Sequence, residues 1–238
     1  MQNGIKNQKQ SSCPMRVVMK AKINVGRDLN GKDIVIDLQE EKLHTIILAG
    51  ETGSGKSVFH ENLYKQLMAQ NSSEELGFVF FDMTRVDFTD WNSPYLYMPV
   101  IFDSEKALTA FEKLGEESIL RANNKTSARR TIFIHIEECD MICLNKKRFE
   151  KAWLNIAKNK EKNNMYLVFS TSALRTDVFT KIILENTDLK VICKVTSKED
   201  SLFILGKSLA EKFKEPGEKV LVYNNREVLS LPFKKDMT

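Results

Sequence analysis

The sequence predicts an α/β protein: a mostly parallel β-sheet with helices on both faces and a small β appendage at its N-terminal end. Two observations carry this. Continuous apolar runs of strand length alternate along the chain with segments of helical periodicity, as in a parallel sheet covered on both sides. Before residue 40 the pattern differs, with weak period-two alternation around turn residues. The 238 residues contain no internal repeat and no linker, so they read as one domain over 16–238, its β appendage being 16–40. Residues 1–15, rich in Asn, Gln, Lys and Ser, are expected to form a flexible tail.

In order, residues 16–38 carry Gly26 and the turn pair Asn30-Gly31 and predict two or three short strands in a hairpin. Residues 45–49 are an unbroken apolar run, as in a strand buried on both faces. Val58, Phe59, Leu63, Leu67 and Met68 then fall on one helical face. A second buried strand is expected at 78–81 and a weaker one at 98–101. Ser104 is placed to cap a helix whose stripe is Leu108, Phe111, Leu114 and Ile119. A third strong strand follows at 132–136, then a helix lined by Phe149, Ala152, Trp153 and Ile156, then a fourth strong strand at 166–170. Strands at 191–195 and 220–223 complete the set.

Composition excludes several classes. A hydrophobic fraction of 42% supports a packed core and rules out disorder as the main state. No apolar run reaches the roughly 20 residues that span a bilayer, and the first ten residues lack the apolar core of a secretory signal. A cytoplasmic protein that does not insert into membranes is expected. The net charge of +4 permits nucleic-acid binding without demanding it. Cys13, Cys139, Cys143 and Cys193 form no C-x-x-C pair and no cluster with the three histidines, so they read as reduced, buried or idle thiols.

The chemistry concentrates at Gly50-Glu51-Thr52-Gly53-Ser54-Gly55-Lys56-Ser57, which fits G-x-x-x-x-G-K-[ST] between a buried strand and an amphipathic helix. Glycines let successive N–H groups curl around phosphate oxygens, and the helix adds its positive N-terminal end. Lys56 is placed to reach the β- and γ-phosphates, and the Ser57 hydroxyl to bind Mg²⁺. The fold expected is thus a P-loop NTPase, RecA-like, with ATP and Mg²⁺ as cofactors.

Such a site needs an acid at the end of another buried strand, and Glu137-Glu138 follow the run at 132–136. By position Glu137 takes the metal role and Glu138 activates the attacking water. Aspartate is usual at the first place; glutamate carries the carboxylate about 1.5 Å further out. His135, inside the strand, is expected to be packed rather than a ligand. Ser170-Thr171-Ser172, ending the next strand, offers hydroxyls for the γ-phosphate or the water, or merely for capping.

Together these residues resemble the motor domain of the FtsK/SpoIIIE family of DNA translocases, within the FtsK–HerA group of P-loop ATPases. The resemblance spans about residues 28–225. It starts at Gly31-Lys32-Asp33-Ile34, Asp37-Leu38 and Leu43-His44, takes in Gly50 to Ser57, and meets Asp82 after the second strand. Its more specific part is Thr171 with the Asp177-Val178-Phe179-Thr180 run, then Asn186, Thr196 to Ser201, Ile204-Leu205-Gly206, Ala210-Glu211-Lys212 and Gly217.

The resemblance implies an ATPase working as a homo-oligomer, a hexameric ring, that threads double-stranded DNA. It implies a basic residue supplied in trans, which falls at Lys190, with Arg175 nearby. Lysine lacks the bidentate fork of arginine. Ser172 stands where glutamine is common, and Leu202 where an arginine is usual. With Glu137 these departures imply a slow, divergent or partner-dependent enzyme. The chain length implies a motor-only member serving a mobile element, plasmid or phage.

A nucleotide-gated assembly protein that recruits a relaxase, replication or secretion partner with little turnover is the alternative. A protein-export ATPase of the same lineage is the third reading. For DNA contact, Lys146, Lys147, Arg148 and Lys151 with Arg129-Arg130 are the basic candidates, against a plain solvated helix face.

Overall fold

The computed structural model describes residues 19–126, 130–138, 145–172, 174 and 181–234. The tail at 1–15, Cys13, Cys139, Cys143, Arg129, Arg175 and the run at 177–180 lie outside the described residues.

A two-stranded antiparallel hairpin comes first, β1 (Lys22–Arg27) and β2 (Asp33–Asp37). Its turn is held by the Asp28 carboxylate, which accepts from the N–H groups of Asn30 and Lys32 at 2.9 Å each. The main sheet has seven strands: β3 (Thr45–Ala49), β4 (Leu76–Asp82), β5 (Thr131–Glu137), β6 (Met165–Thr171), β7 (Leu189–Ile192), β8 (Lys219–Tyr223) and β9 (Arg226–Ser230). Their order is β4-β5-β6-β3-β7-β8-β9. The five from β4 to β7 are parallel; β8 and β9 are antiparallel.

The helices are α1 (Lys56–Gln70), α2 (Ser104–Ala122), α3 (Lys146–Lys158), α4 (Lys160–Asn163), α5 (Lys181–Glu185) and α6 (Lys198–Leu205). Because side chains alternate across a strand, a continuous apolar run feeds two cores at once. In β4, Val79 and Phe81 point into a core closed by Phe111 and Leu114 of α2 and Phe149 and Trp153 of α3. Phe78 and Phe80 point into a second core, closed by Phe59, Leu63 and Leu67 of α1 and by Ile23 and Val25 of the hairpin. The hairpin therefore seals the outer side of α1, the helix that follows the glycine-rich loop.

Three expectations are corrected and one strand is added. The segment 98–101 is not a strand: Pro94 and Pro99 lack an N–H, and the chain touches β4 only through single bridges at Leu96 and Ile101. The cap of α2 is Asp103, whose carboxylate accepts from Lys106 N at 2.9 Å, and Ser104 is the first helical residue. Ile119 and Val58 are exposed at 39% and 38%, off their expected stripes. Finally β9, mostly solvent-facing and without an apolar run, was not expected. It is joined to β8 by Asn224-Asn225, both at positive φ (47° and 58°), a two-residue hairpin turn that asparagine tolerates.

Candidate functional site

The site lies at the carboxyl ends of the parallel strands, beside β3. The next strand in sequence, β4, lies at the far edge of the sheet. Strand β3 thus sits where connections depart in opposite directions, the position at which open α/β sheets form a crevice. Its loop is fastened on both flanks. Gly50 N donates to Thr171 O of β6 at 3.2 Å, and Glu51 N donates to Lys194 O beyond β7 at 2.7 Å. Glu51 also pairs with Lys194 at 3.1 Å.

Two glycines are required by geometry. Gly53 has φ 79°, and Gly55, at the N-cap of α1, has φ 104°. A Cβ on Gly55 would stand 2.8 Å from Gly217 N, where the C-terminal segment crosses the loop and Gly217 N donates to Ser54 O at 2.8 Å. No side chain caps α1, so its first N–H groups are left to face the loop. The Lys56 ammonium is drawn in, donating to Gly50 O at 2.8 Å and Glu51 O at 3.3 Å.

A cleft of about 370 Å³ opens here. Its floor is the loop with Lys56 and Ser57, one wall holds Glu137 and Glu138, another Thr84, Val86 and Asp87, and Pro216 stands at the rim. The wall at 84–87 was missed by sequence reasoning. It is built by Asp82, whose buried carboxylate accepts from Thr84 N and Oγ1, Arg85 N and Phe88 N. The signal available was an aspartate at a strand end followed by threonine, an Asx-turn pattern. The His60 imidazole beside Asp87 holds that carboxyl below the usual range, against the opposing effect of burial.

Glu137 and Glu138 have different settings. Glu137 is buried, and its Oε2 is 2.8 Å from His135 Nε2. His135 Nδ1 is in turn 2.6 Å from Tyr64 Oη of α1. Burial lowers the His135 pKa against the pull of Glu137, so the ring is neutral near pH 7. With the carboxylate as acceptor, Nε2 carries the proton and Tyr64 donates to Nδ1. His135 is packed, as expected; its bond to Glu137 was not anticipated.

Glu138 sits at φ 47°, an uncommon conformation costing on the order of 1–2 kcal/mol for a residue with a Cβ. Its two carboxylate oxygens accept from Ser172 N at 3.1 and 3.0 Å. Ser172 thus meets Glu138 through its main chain, which any residue except proline would supply.

The structure therefore brings together Gly53, Gly55, Lys56, Ser57, Glu137 and Glu138, with Ser172 behind Glu138. Lys190 is elsewhere. It pairs with Ile47 in mid-strand, and its ammonium, half-buried, donates to Ile204 O at 3.2 Å. Among the basic candidates, Arg148 is bound to Glu105 and Glu112 at 2.6 Å each, joining α3 to α2. Arg130 donates to Leu76 O and Pro94 O. Lys146, Lys147 and Lys151 are exposed. Cys193 is buried, and burial pushes its thiol up to about 11. Among the described residues no helix is long and apolar enough to cross a membrane.

The site fits a phosphate chain: a glycine-permitted loop, an uncapped helix start and an ammonium converge on one cleft. The Ser57 hydroxyl and the carboxylate of Glu137 suit a hard, oxygen-seeking cation such as Mg²⁺.

The DNA translocase FtsK of Leptospira interrogans (serovar copenhageni) is 28% identical over 221 residues, covering 82% of this chain and 23% of that protein. The DNA translocase FtsK of Staphylococcus aureus (strain Mu50) is 26% identical over 232 residues, covering 86% of this chain and 29% of that protein. The chain thus spans about a quarter of the length of these curated relatives.

Two solved structures share the fold. The pCW3 conjugation coupling protein TcpA, in a monomer form with ATPgS, has a TM-score of 0.74 at 21% identity, covering 90% of this chain and 66% of that one. The cytoplasmic domain of the Thermomonospora curvata type VII secretion ATPase EccC has a TM-score of 0.75 at 17% identity, covering 93% and 29%. The sequence profile of the FtsK/SpoIIIE family matches residues 8–172, and the chain belongs to that family.

Proposed function

We propose that this chain is an ATP-hydrolysing motor that moves double-stranded DNA as a homo-oligomeric, hexameric ring in the cytoplasm, in the service of a mobile element, plasmid or phage. The observation that carries this reading is the convergence of Lys56, Ser57 and Glu138 on one cleft. Glu138 there stands at a strained φ, with its carboxylate bound by the Ser172 main-chain N–H. Strain retained at a cleft is characteristic of functional positions.

In this reading Gly50 to Gly55 curl around the phosphates and Lys56 leaves its carbonyl partners to reach them. Ser57 and Glu137 hold Mg²⁺, which supplies charge neutralisation at the transferring phosphoryl. Glu138 orients a water and accepts its proton. Ser172 fixes Glu138, and Lys190 serves a neighbouring subunit.

The alternative, a nucleotide-gated assembly factor for a relaxase, replication or secretion partner, is favoured by one specific observation: Glu137 already spends a carboxylate oxygen on His135. ATP binding and turnover distinguish the two. The motor reading predicts that Lys56→Ala loses ATP binding and that Glu138→Gln binds ATP while losing about 10²–10⁴-fold in turnover, as expected for removal of a general base. Native-rate hydrolysis by Glu138→Gln would overturn the assignment of the base.

A further inference from the structure

Behind the cleft wall, side chains with metal-binding chemistry meet in a buried place. His60 of α1 and His135 and Glu137 of β5 each offer one ligand atom, all within 4.8 Å of one another. His60 is 3% exposed, yet neither of its ring nitrogens has a hydrogen-bond partner among the described residues. A buried polar group left unpaired is costly, so one facing two other donors points to a ligand. Asp87 stands next to it, its Oδ2 3.9 Å from His60 Nε2, beyond hydrogen-bond length.

We propose that His60, His135 and Glu137, with Asp87 completing the set, form a site for a transition-metal dication of the zinc class, adjoining the Mg²⁺ site of the cleft and competing with it for Glu137. Imidazole nitrogens select zinc, cobalt or nickel over magnesium, which prefers oxygen and keeps its waters. Around a tetrahedral ion with bonds of about 2.0–2.2 Å, ligand atoms lie about 3.3–3.6 Å apart. The present 2.8 Å between His135 Nε2 and Glu137 Oε2 opens by roughly half an ångström to admit the ion, and the remaining separations close.

Two neutral imidazoles and two carboxylates leave no net charge with a dication, which a buried site requires. His135 then binds through Nε2 with its proton moved to Nδ1, where Tyr64 Oη, 2.6 Å away, orients the ring. Filling this site would draw Glu137 out of the nucleotide cleft, so loading with zinc lowers turnover. The inference goes beyond the ATPase reading and shares Glu137 and the cleft-wall residue Asp87 with it, so it is tested without nucleotide.

The full chain, stripped of metal with a chelator, is titrated with Co²⁺ alone and followed by visible absorption. The expected result is one Co²⁺ per chain with the intense bands of a four-coordinate ion. Those bands are displaced by one equivalent of Zn²⁺ and persist in excess Mg²⁺. His60→Gln and, independently, Glu137→Gln weaken binding by more than about ten-fold, exceeding the loss of an outer-shell partner. His44→Gln, which removes the third histidine, leaves it unchanged. Circular dichroism checks each variant's fold, and either folded ligand variant suffices. Absence of saturable binding, undiminished Co²⁺ affinity in a folded ligand variant, or thiolate charge-transfer bands placing the ion on cysteine would each overturn the assignment.

Discussion

Replacing Gly55 by alanine, with Gly53→Ala as its partner experiment, tests how the glycine-rich loop is held. Both glycines have positive φ, 104° and 79°, so each substitution carries a backbone penalty of about 1–3 kcal/mol. Each is partly offset by about 0.4–1 kcal/mol, because alanine restricts the unfolded chain. The two differ in what the new methyl meets. At Gly53 nothing lies within 4 Å, whereas at Gly55 the Cβ would stand 2.8 Å from Gly217 N and 2.9 Å from Gly217 Cα. Those are main-chain atoms fixed by the Gly217 N to Ser54 O bond, so the methyl cannot displace a flexible side-chain end.

Overpacking of this kind costs about 1–3 kcal/mol. Gly55→Ala is therefore destabilised by about 1–3 kcal/mol more than Gly53→Ala, and at about 2–4 °C per kcal/mol for a chain of this size its Tm falls several degrees further. Thermal and urea unfolding of the two variants side by side measure the difference. Equal Tm values would mean that the C-terminal segment does not brace the loop, and the account of that contact would be wrong.

Two further predictions concern buried groups. His44 is buried against Tyr166, with ring centroids 4.7 Å apart, and burial lowers its pKa below 6.5. The unfolded chain therefore takes up the proton first. The stability His44 permits is complete above pH 6.5 and falls as pH drops from there toward its folded pKa, so His44→Gln should lose less stability between pH 7 and 5.5 than the parent. Cys193, with its thiol raised to about 11, should resist alkylation at pH 8 until the protein unfolds, as peptide mass mapping would show.

How far these features were legible depends on whether their signal is local. Strands β3 to β6 are apolar on both faces, so their sequences declare them without a partner in view. Gly50 to Ser57 is likewise a continuous motif set between a strand and a helix. By contrast β9 is mostly exposed and owes its existence to β8, so nothing in Arg226 to Ser230 marks it except the preceding asparagine pair. The segment at 98–101 has strand-like side chains, but Pro94 and Pro99 limit its pairing to single bridges.

The same division holds at the site. Glu137 and Glu138 were found by position in the chain. Contacts across elements could not be read from spacing: Tyr64 on His135, Ser172 on Glu138 and Gly217 on Gly55 lie far apart in sequence and meet only when the sheet closes. The departures at Ser172 and Lys190 also look different in three dimensions. Ser172 meets Glu138 through its main-chain N–H, whereas Lys190 lies outside the cleft of its own chain.

ATP turnover by the purified chain, with and without linear double-stranded DNA and beside Glu138→Gln, tests the central claim most directly. The account predicts turnover that rises strongly with duplex DNA and falls about 10²–10⁴-fold in Glu138→Gln. Tight ATP binding with negligible turnover in both conditions would contradict it and leave the nucleotide-gated assembly factor as the reading that stands.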